Sequence, residues 1–320
     1  MNYNINAGYG RLMADKIFNG TPTTGKTFLV AKAAQPNKDV LNDLFTPDTE
    51  GTPRIFGTIT AALAQCVANR GDVIYVAAWY TETISAAAWM ILNKAWVTIL
   101  GLGEWSLRPT ITYDTAVTAT TTVTAANIKI KNFIYIANFA DVATVFALAT
   151  APWFDSSDCE FRDTSSVLNF LSIITTTVSV SADGLKFNRN RVAMLGTTAA
   201  TTPIKILGTI DRLQINDNFI TKAVLNNTSC LLAHAALVVT NLDMGRNIIF
   251  TDNTDTATGA ILVTTTSTTN TGMIYDNYCR SLDVTLALTV PTGTKYGTFN
   301  NMHSWDVDFS GILVPAAATN

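Results

Sequence analysis

The period of hydrophobic and polar positions changes within residues 58–103, which contain the clearest elements of the chain. Apolar residues at helical spacing predict an amphipathic helix from Thr58 to Asn69, with Thr58 as its N-cap. Asn69 and Gly71 supply the expected C-terminal stop. The apolar positions of this helix are Ile59, Leu63, Cys66 and Val67.

Three β-rich runs follow the helix at intervals of about a dozen residues. They are 72–76, 82–84 and 96–100, and residues 101–103 close the third run with two glycines. A helix followed by short, evenly spaced strands predicts the capped start of a stack of parallel strands. The pattern therefore indicates the first coils of a right-handed β-helix.

Beyond Gly103 the chain repeats a degenerate unit of two alternating apolar residues followed by Asp or Asn. The copies are Ile128, Ile130 and Asn132; Cys159, Phe161 and Asp163; Leu185 and Phe187 with Asn188 and Asn190; Leu213, Ile215 and Asp217; Ile248, Phe250 and Asp252; and Met273, Tyr275 and Asn277. Their first positions are 31, 26, 28, 35 and 25 residues apart. Uneven periods of this length are typical of solenoid coils with loops of variable length.

The repeat has a physical interpretation. Alternate strand residues point inward, and Asp or Asn after a strand turns the backbone by a side-chain hydrogen bond or by a left-handed conformation. One coil cannot bury its inward face alone, so we expect roughly seven to nine stacked coils with a shared core. The helix from Thr58 covers the open sheet edge at one end.

The predicted fold is thus all-β, a single-stranded, right-handed parallel β-helix in three segments. Residues 1–55 form an N-terminal arm that includes one strand at 26–31, and 56–277 form the capping helix and the β-helix. Residues 278–320 form a C-terminal β extension that caps the far end or pairs with neighbouring subunits.

The end of the helix and the first strands also carry a family resemblance. The residues concerned are Arg70–Asp72, Val73–Val76, Tyr80–Ile84 and Thr98–Gly103. They resemble the first coils of pectate-lyase-like right-handed parallel β-helix proteins, and most of all those of tailed-phage particles. The likeness extends over Phe56–Asn277. It is specific for the fold and less so for activity, because one fold hosts many functions.

The resemblance implies a structural protein of a bacteriophage virion. The expected role is a capsid decoration or cement protein, a homotrimer that binds the major capsid protein and stabilises the head surface. Its expected location is the capsid surface, after assembly in the host cytoplasm. The alternative is a tailspike or fibre protein that binds or hydrolyses host surface polysaccharide. A bacterial surface adhesin is a third, disfavoured hypothesis.

Composition excludes several other classes of protein. Only 14% of the 320 residues are charged and 48% are hydrophobic, yet no apolar run approaches the roughly 20 residues of a membrane helix. The net charge of −3 and the scattered basic residues argue against a nucleic-acid surface. Met1–Gly10 has neither a basic start nor an apolar core, so we expect no export by a signal peptide. Threonine clusters favour half-exposed strands.

Two motifs suggest functions that their context rejects. Gly20–Thr27 fits the phosphate-loop pattern, which would place Lys26 on phosphates and Thr27 on magnesium. A phosphate loop opens a helix, whereas the residues after Lys26 are strand-like. Arg70-Gly71-Asp72 spells an adhesion tripeptide, but a helix-to-strand turn requires glycine there in any case.

No catalytic residue, cofactor or metal site is predicted, and we expect the protein not to be an enzyme. Glycoside cleavage needs two carboxylates about 5–10 Å apart. The densest acidic group is Asp155, Asp158, Glu160 and Asp163, with Asp211 and Asp217 on a later coil. We interpret these acids as turn caps and surface charges, with Glu160 and Arg162 as an exposed pair.

The remaining candidate side chains favour packing over chemistry. The four cysteines, Cys66, Cys159, Cys230 and Cys279, lack the grouping of a zinc site and are expected to be buried free thiols. Neither His234 nor His303 has a nucleophile in a recognisable motif. Five aromatic residues could stack on sugars, although core packing is the preferred interpretation. They are Trp79, Tyr80, Trp89, Trp96 and Trp105.

Overall fold

Short strands joined by tight corners wind the chain into a parallel β-helix of about seven turns with very little helix, as predicted. A computed structural model shows this architecture. It describes residues 25–34, 45, 47, 51, 53–84, 89–177, 181–196, 201–223, 232–234, 238–251, 261–262, 269–281, 288–289, 295–305 and 314–315.

Three parallel sheets, here called A, B and C, form the walls of the solenoid. Sheet A contains β1 (Thr27–Val30), β2 (Ile55–Phe56), β3 (Val73–Val76), β6 (Thr98–Gly101), β9 (Lys129–Lys131), β12 (Asp155–Ser157), β15 (Lys186–Asn188), β19 (Gln214–Asn216), β23 (Leu242–Gly245), β26 (Thr271–Tyr275) and β29 (Lys295–Phe299). Sheet B contains β4 (Thr81–Ile84), β7 (Thr110–Tyr113), β10 (Ile134–Ala137), β13 (Glu160–Asp163), β16 (Arg191–Met194), β20 (Phe219–Lys222), β24 (Ile248–Thr251), β27 (Tyr278–Ser281), β30 (Met302–Trp305) and the antiparallel β31 (Val314–Pro315).

Sheet C is shorter, and further short pairs accompany it. It contains β5 (Met90–Leu92), β8 (Thr121–Val123), β11 (Phe146–Leu148), β14 (Ile174–Thr176), β17 (Ile204–Ile206) and β21 (Leu232–His234). The pairs are β18 (Ile210–Asp211) with β22 (Val239–Thr240), and β25 (Ile261–Leu262) with β28 (Leu288–Thr289). Within the described residues the helices are α1 (Ile59–Gln65) and a 3-10 turn (Trp105–Leu107).

From β3 to β21 each turn adds one strand to sheet A, then B, then C, in register with the turn before it. In sheet A, for example, Phe187 pairs with Ser156 on one side and Ile215 on the other. Coils about 4.8 Å apart therefore stack equivalent side chains on one another. One continuous core results, from Phe28 at the first strand to Cys279 near the last.

The middle coils have an aromatic interior. Tyr135 stacks on Phe161 at 5.1 Å between ring centroids, and Phe161 lies 5.7 Å from Phe187 on the next coil. Tyr113 contacts Phe170 edge-on at 5.3 Å. These rings bury large areas each, so the stack is held from within as well as by its strand ladders.

Helix α1 covers the first coil, as the sequence predicted. Thr58 Oγ1 accepts a hydrogen bond from the Ala61 amide at 3.1 Å, the expected N-cap. Ile59, Leu63 and Cys66 are buried, and the helix contacts β1, β2, β3 and β5. The helix ends at Gln65, earlier than predicted. Asn69 and Gly71 instead adopt positive φ in the turn that leads into β3.

The corner between sheets A and B contains a column of left-handed residues. Two residues before eight of the parallel sheet-B strands, φ lies between +49° and +65°. The occupants are Trp79, Asn132, Asp158, Arg189, Asp217, Arg246, Asp276 and Asn300. The second coil differs because residues 102–108 insert a loop there. This column confirms the predicted turning role of Asn132 and Asp217.

A ladder of buried asparagines lines the inner side of the same corner. Asn218 donates its backbone N–H, at 3.1 Å, and its side-chain amide, at 2.9 Å, to Oδ1 of Asn247. Asn247 repeats both bonds to Asn277, and Asn277 repeats them to Asn301. Each side-chain amide also donates to a carbonyl in the sheet-A strand of the preceding coil, as Asn247 does to Ile215 at 2.8 Å. Asn190 begins the ladder and accepts from the Cys159 amide.

Two features explain the uneven spacing of the sequence repeat. The length of a coil varies, since successive ladder residues are separated by 31, 28, 29, 30 and 24 positions, counted from Cys159. The copies of the repeat also mix strands of sheet A, such as β9, with strands of sheet B, such as β13. Mixing the two walls made the steps more irregular.

Two copies of the repeat have the wrong inward residue. Ile249 and Ile274 point into the core, whereas Ile248 and Met273 lie outside. The residues on both sides of Ile249 and of Ile274 are apolar, so alternation alone could not choose the face. Asp163 turns the chain by the first predicted route, because its buried carboxylate accepts backbone hydrogen bonds. Asp252 lies outside the described residues.

Strands of the two terminal segments join the same sheets. β1, in the predicted arm of residues 1–55, pairs with β3 and lies between β2 and β3 in sheet A. Beyond residue 277, β27 and β30 continue sheet B, and β29 continues sheet A. Parallel pairing therefore extends to residue 305.

Replacing Asn247 by alanine tests the ladder. The Asn218 amide and the Ile215 carbonyl would lose their partners inside the core, so we expect a loss of about 3–5 kcal/mol in the free energy of unfolding. Chemical denaturation measures it. Asn138→Ala is the control, because Asn138 is exposed and its side-chain amide donates a hydrogen bond to Asp114 at the surface. The control should change stability by less than about 0.5 kcal/mol, and an equal loss in both variants would contradict a special role for the ladder.

Candidate functional site

The densest acidic group was the best sequence candidate for chemistry, and the structure disperses it. Asp155 lies on the outer face of sheet A, and Asp158 occupies the corner. Glu160 faces outward from sheet B, whereas Asp163 is buried at the end of β13. The four acids therefore point in different directions from one coil.

Each of these carboxylates is already engaged. Asp155 bonds Ser157 and lies 3.5 Å from the Lys131 ammonium. Glu160 pairs with Arg108, two coils below, and lies 3.7 Å from Arg162. The predicted Glu160–Arg162 pair is confirmed.

The exposed corner acids alternate with arginines along the solenoid. Arg189 makes a two-point contact with Asp158 at 2.7 and 2.9 Å. Arg246 does the same with Asp217 at 2.7 and 3.0 Å. The Arg246 guanidinium lowers the pKa of Asp217, with a smaller contribution from Arg189. These pairs link successive coils at the surface, where each is worth at most about 1 kcal/mol.

Asp163 joins two coils through their backbones. Its Oδ1 accepts from the Phe170 amide at 2.9 Å, and its Oδ2 accepts from the amides of Leu195 at 2.7 Å and Gly196 at 3.1 Å. Burial raises the pKa of this carboxyl to about 6, although the three amides act in the opposite direction. The arrangement closes a turn and leaves no free face for a substrate.

The described residues thus contain no pair of free carboxylates on one face in this group. Among them, no three His, Cys, Asp or Glu side chains cluster in a way that could hold a metal ion. His234 lies in β21 of sheet C and His303 in β30 of sheet B, so the two belong to different walls.

The adhesion tripeptide is a structural clamp. Asp72 is fully buried. Its carboxylate accepts hydrogen bonds from Nε of Arg70 at 2.6 Å and from Nη2 of Arg70 at 2.7 Å. It also accepts from the backbone amides of Lys26 at 2.7 Å and Val67 at 2.8 Å. One carboxylate therefore ties β1, the end of α1 and β3 together, and it is inaccessible to a receptor.

The phosphate-loop motif lacks the helix that nucleotide binding needs. Most of Gly20–Thr27 lies outside the described residues. Its last residue, Thr27, begins strand β1 as predicted, and a phosphate loop would open a helix at this point.

The thiols of Cys66 and Cys159 are buried and free, as predicted. Cys279 is buried as well, whereas Cys230 lies outside the described residues. Burial raises the pKa of Cys66 and of Cys159 to about 12, which suppresses the reactive thiolate.

The tryptophans are the feature that the sequence misassigned. Core packing was expected for the aromatic group, and only Tyr80 is buried. The exposed fractions are 50% for Trp79, 45% for Trp89, 53% for Trp96 and 82% for Trp105. Sequence patterns cannot distinguish a buried corner residue from an exposed one, because corner residues of both kinds interrupt the alternation of the strands.

Trp153 differs from the other exposed tryptophans. The Arg212 guanidinium lies 4.8 Å from its ring centroid, and its ring occupies the space that a side chain on Gly184 would fill. Trp153 is thus packed along the corner between sheets C and A. The four tryptophans of the first two coils remain the best candidate surface for binding.

The pH dependence of stability tests the burial of Asp163. Its folded pKa of about 6 exceeds the ordinary value of 3.8, so its stabilising contribution is present below about pH 4 and lost as pH rises through 6. Relative to Asp163→Asn, the wild type should lose about 2–3 kcal/mol of unfolding free energy between pH 4 and pH 7.5. Urea denaturation at several pH values measures this difference. A constant difference would contradict the raised pKa.

The chain matches no protein-family model and no curated protein. In the part of the chain that the structure describes, no helix is long and apolar enough to cross a membrane.

Proposed function

We propose that the protein is a structural component of a tailed-phage virion, a capsid decoration protein that binds the major capsid protein and stabilises the head. The resemblance of residues 56–277 to phage β-helix proteins motivates the proposal. The observation that supports it most is the use of the acidic residues. The carboxylates of Asp72, Asp155, Asp158, Glu160 and Asp163 all hold backbone or neighbouring side chains in place.

A solenoid of this kind suits a scaffold. Its long walls present an extended, rigid surface, and its acids stabilise the stack rather than a reaction. Decoration of a shell requires both properties, because the protein must survive with the particle and contact it over a wide area.

The proposed homotrimer has a suitable face on sheet B. Outward aromatic residues stack along consecutive coils, with Phe219 at 5.5 Å from Phe250 and Phe250 at 5.9 Å from Tyr278. Phe219 and Ile248 are both more than one-third exposed. Apolar strips of this kind are favourable sites for contacts between subunits.

A tailspike or fibre that binds host polysaccharide is the second candidate. The exposed tryptophans favour it, because aromatic rings provide flat apolar faces on which sugar rings can stack. Hydrolysis has less support than binding, since the acids described above are paired or buried.

Copy number in the purified particle tests the proposal. Quantitative mass spectrometry against the major capsid protein should give hundreds of copies, at a fixed ratio to that protein. A few tens of copies or fewer would favour the tailspike, and assays on host polysaccharide would follow. Absence from the particle would exclude both candidates.

A further inference from the structure

Large exposed apolar side chains concentrate around the first two coils. We call this set the tryptophan belt, and it comprises Trp79, Trp89, Trp96, Trp105, Val67, Ile91 and Leu107. Trp79 and Trp105 lie at the corner between sheets A and B, and Trp96 lies at the corner between sheets C and A. Trp89 precedes β5 and lies where sheet C begins. The belt therefore surrounds the capped end of the solenoid.

Three belt tryptophans have an unfavourable backbone. Trp79, Trp96 and Trp105 adopt φ of +59°, +65° and +51°. A left-handed conformation is unfavourable for a bulky residue, and about half of Trp79 and of Trp96 stays exposed. Such outliers point to a functional demand at their position.

Other coils fill the equivalent positions with several residue types. The column that Trp79 begins contains Asn, Asp and Arg, for example Asn132 and Asn300. In the corner between sheets C and A, Asn69 and Asn127 flank Trp96, and Trp153 follows with φ of +62°. Neither corner therefore requires tryptophan, and asparagine would satisfy the backbone at both positions.

The backbones of two belt tryptophans are bonded to the neighbouring coil. The Trp79 backbone amide donates to the Leu107 carbonyl at 2.7 Å, and the Trp96 backbone amide donates to the Ala126 carbonyl at 3.1 Å. Each bond fixes the backbone from which the ring projects.

The size and composition of the belt fit a protein partner. At about 220 Å² per ring, the four tryptophans expose roughly 500 Å², much of the ~800 Å² that one partner contributes to a specific interface. Tryptophan is enriched at interface centres, where charged residues are scarce. Because the rings lie on more than one corner, a single flat surface could not cover them all.

We propose that the tryptophan belt is the docking surface for the protein shell of the particle, which encloses the capped end of the solenoid. This inference rests on the proposed function and names the end of the molecule that makes the contact. The solenoid then projects outward from the shell, with its later coils free.

The test adds purified protein to particles assembled without it and measures binding by co-sedimentation. The variant is Trp79→Asn with Trp96→Asn, which installs the residue that neighbouring coils use. Met273→Gln is the control, since Met273 is also half exposed but lies in β26, far along the solenoid. We expect the wild type and the control to bind, and the double variant to bind about 100-fold more weakly. Its melting temperature should not fall.

Each alternative gives a different result. Undiminished binding of the double variant would show that the tryptophan belt is not the docking surface and would leave the proposed function intact. Failure of the wild type itself to bind would overturn both. Dissociation of a self-associated species by the double substitution, seen in analytical ultracentrifugation, would assign the belt to a second copy of the chain. Loss of binding to purified host polysaccharide would assign it to a glycan, and either result would overturn the shell contact.

Discussion

The corner between sheets A and B imposes the constraint on which the stack depends. Within the strands, each coil bonds its neighbours through the parallel ladders, but at a tight buried corner the backbone amides need other acceptors. From Asn190 to Asn301 a side-chain carbonyl of the next coil supplies that acceptor. Every ladder residue also bonds the next one, so a shift in any coil would leave several buried groups unpaired at once.

The early coils have apolar residues at this corner and find other acceptors: the Tyr80 amide donates to the Ala77 carbonyl at 3.2 Å, and the Cys159 amide donates to Asn190. Tyr80, Phe133 and Cys159 occupy the inner corner position where later coils have asparagine. Their region also contains the stacked aromatic interior. The solenoid thus combines an aromatic half, held by packing, with a later half whose corner is held by hydrogen bonds. The outer column in which Asp and Arg alternate runs along this second half.

Sequence patterns predicted the fold because its signals are local. The N-cap at Thr58, the run from Val73 to Val76 and the turning residues Asn132 and Asp217 all depend on nearby residues, and the structure confirms them. The sequence could not show which residue of Ile248–Phe250 points into the core, because all three are apolar and no polar residue marks the outer face. The sequence predicted only part of the asparagine ladder, because Asn218 and Asn247 can be recognised only once the coils are aligned. Left-handed tryptophans contradict every turn rule, and no local signal marks them.

The function is harder to predict from the sequence than the fold, because the polar residues stabilise the fold. Acids that could form a catalytic pair are bonded across coils, and the surface that differs from its surroundings is apolar. A binding surface made of corner residues has no sequence motif, because its members come from different coils and share only their position. This is why exposed tryptophans, rather than acids, give the best indication of function.

Amide hydrogen exchange at single-residue resolution is the most direct test of the ladder as the basis of the stack. If the ladder holds the later coils together, the backbone amides of Asn190, Asn218, Asn247 and Asn277 should exchange only on global unfolding. Their protection should equal that of the buried strand amides of sheet B. Fast exchange at these four amides, with the strands still protected, would show that the corner opens independently and would contradict the ladder's role.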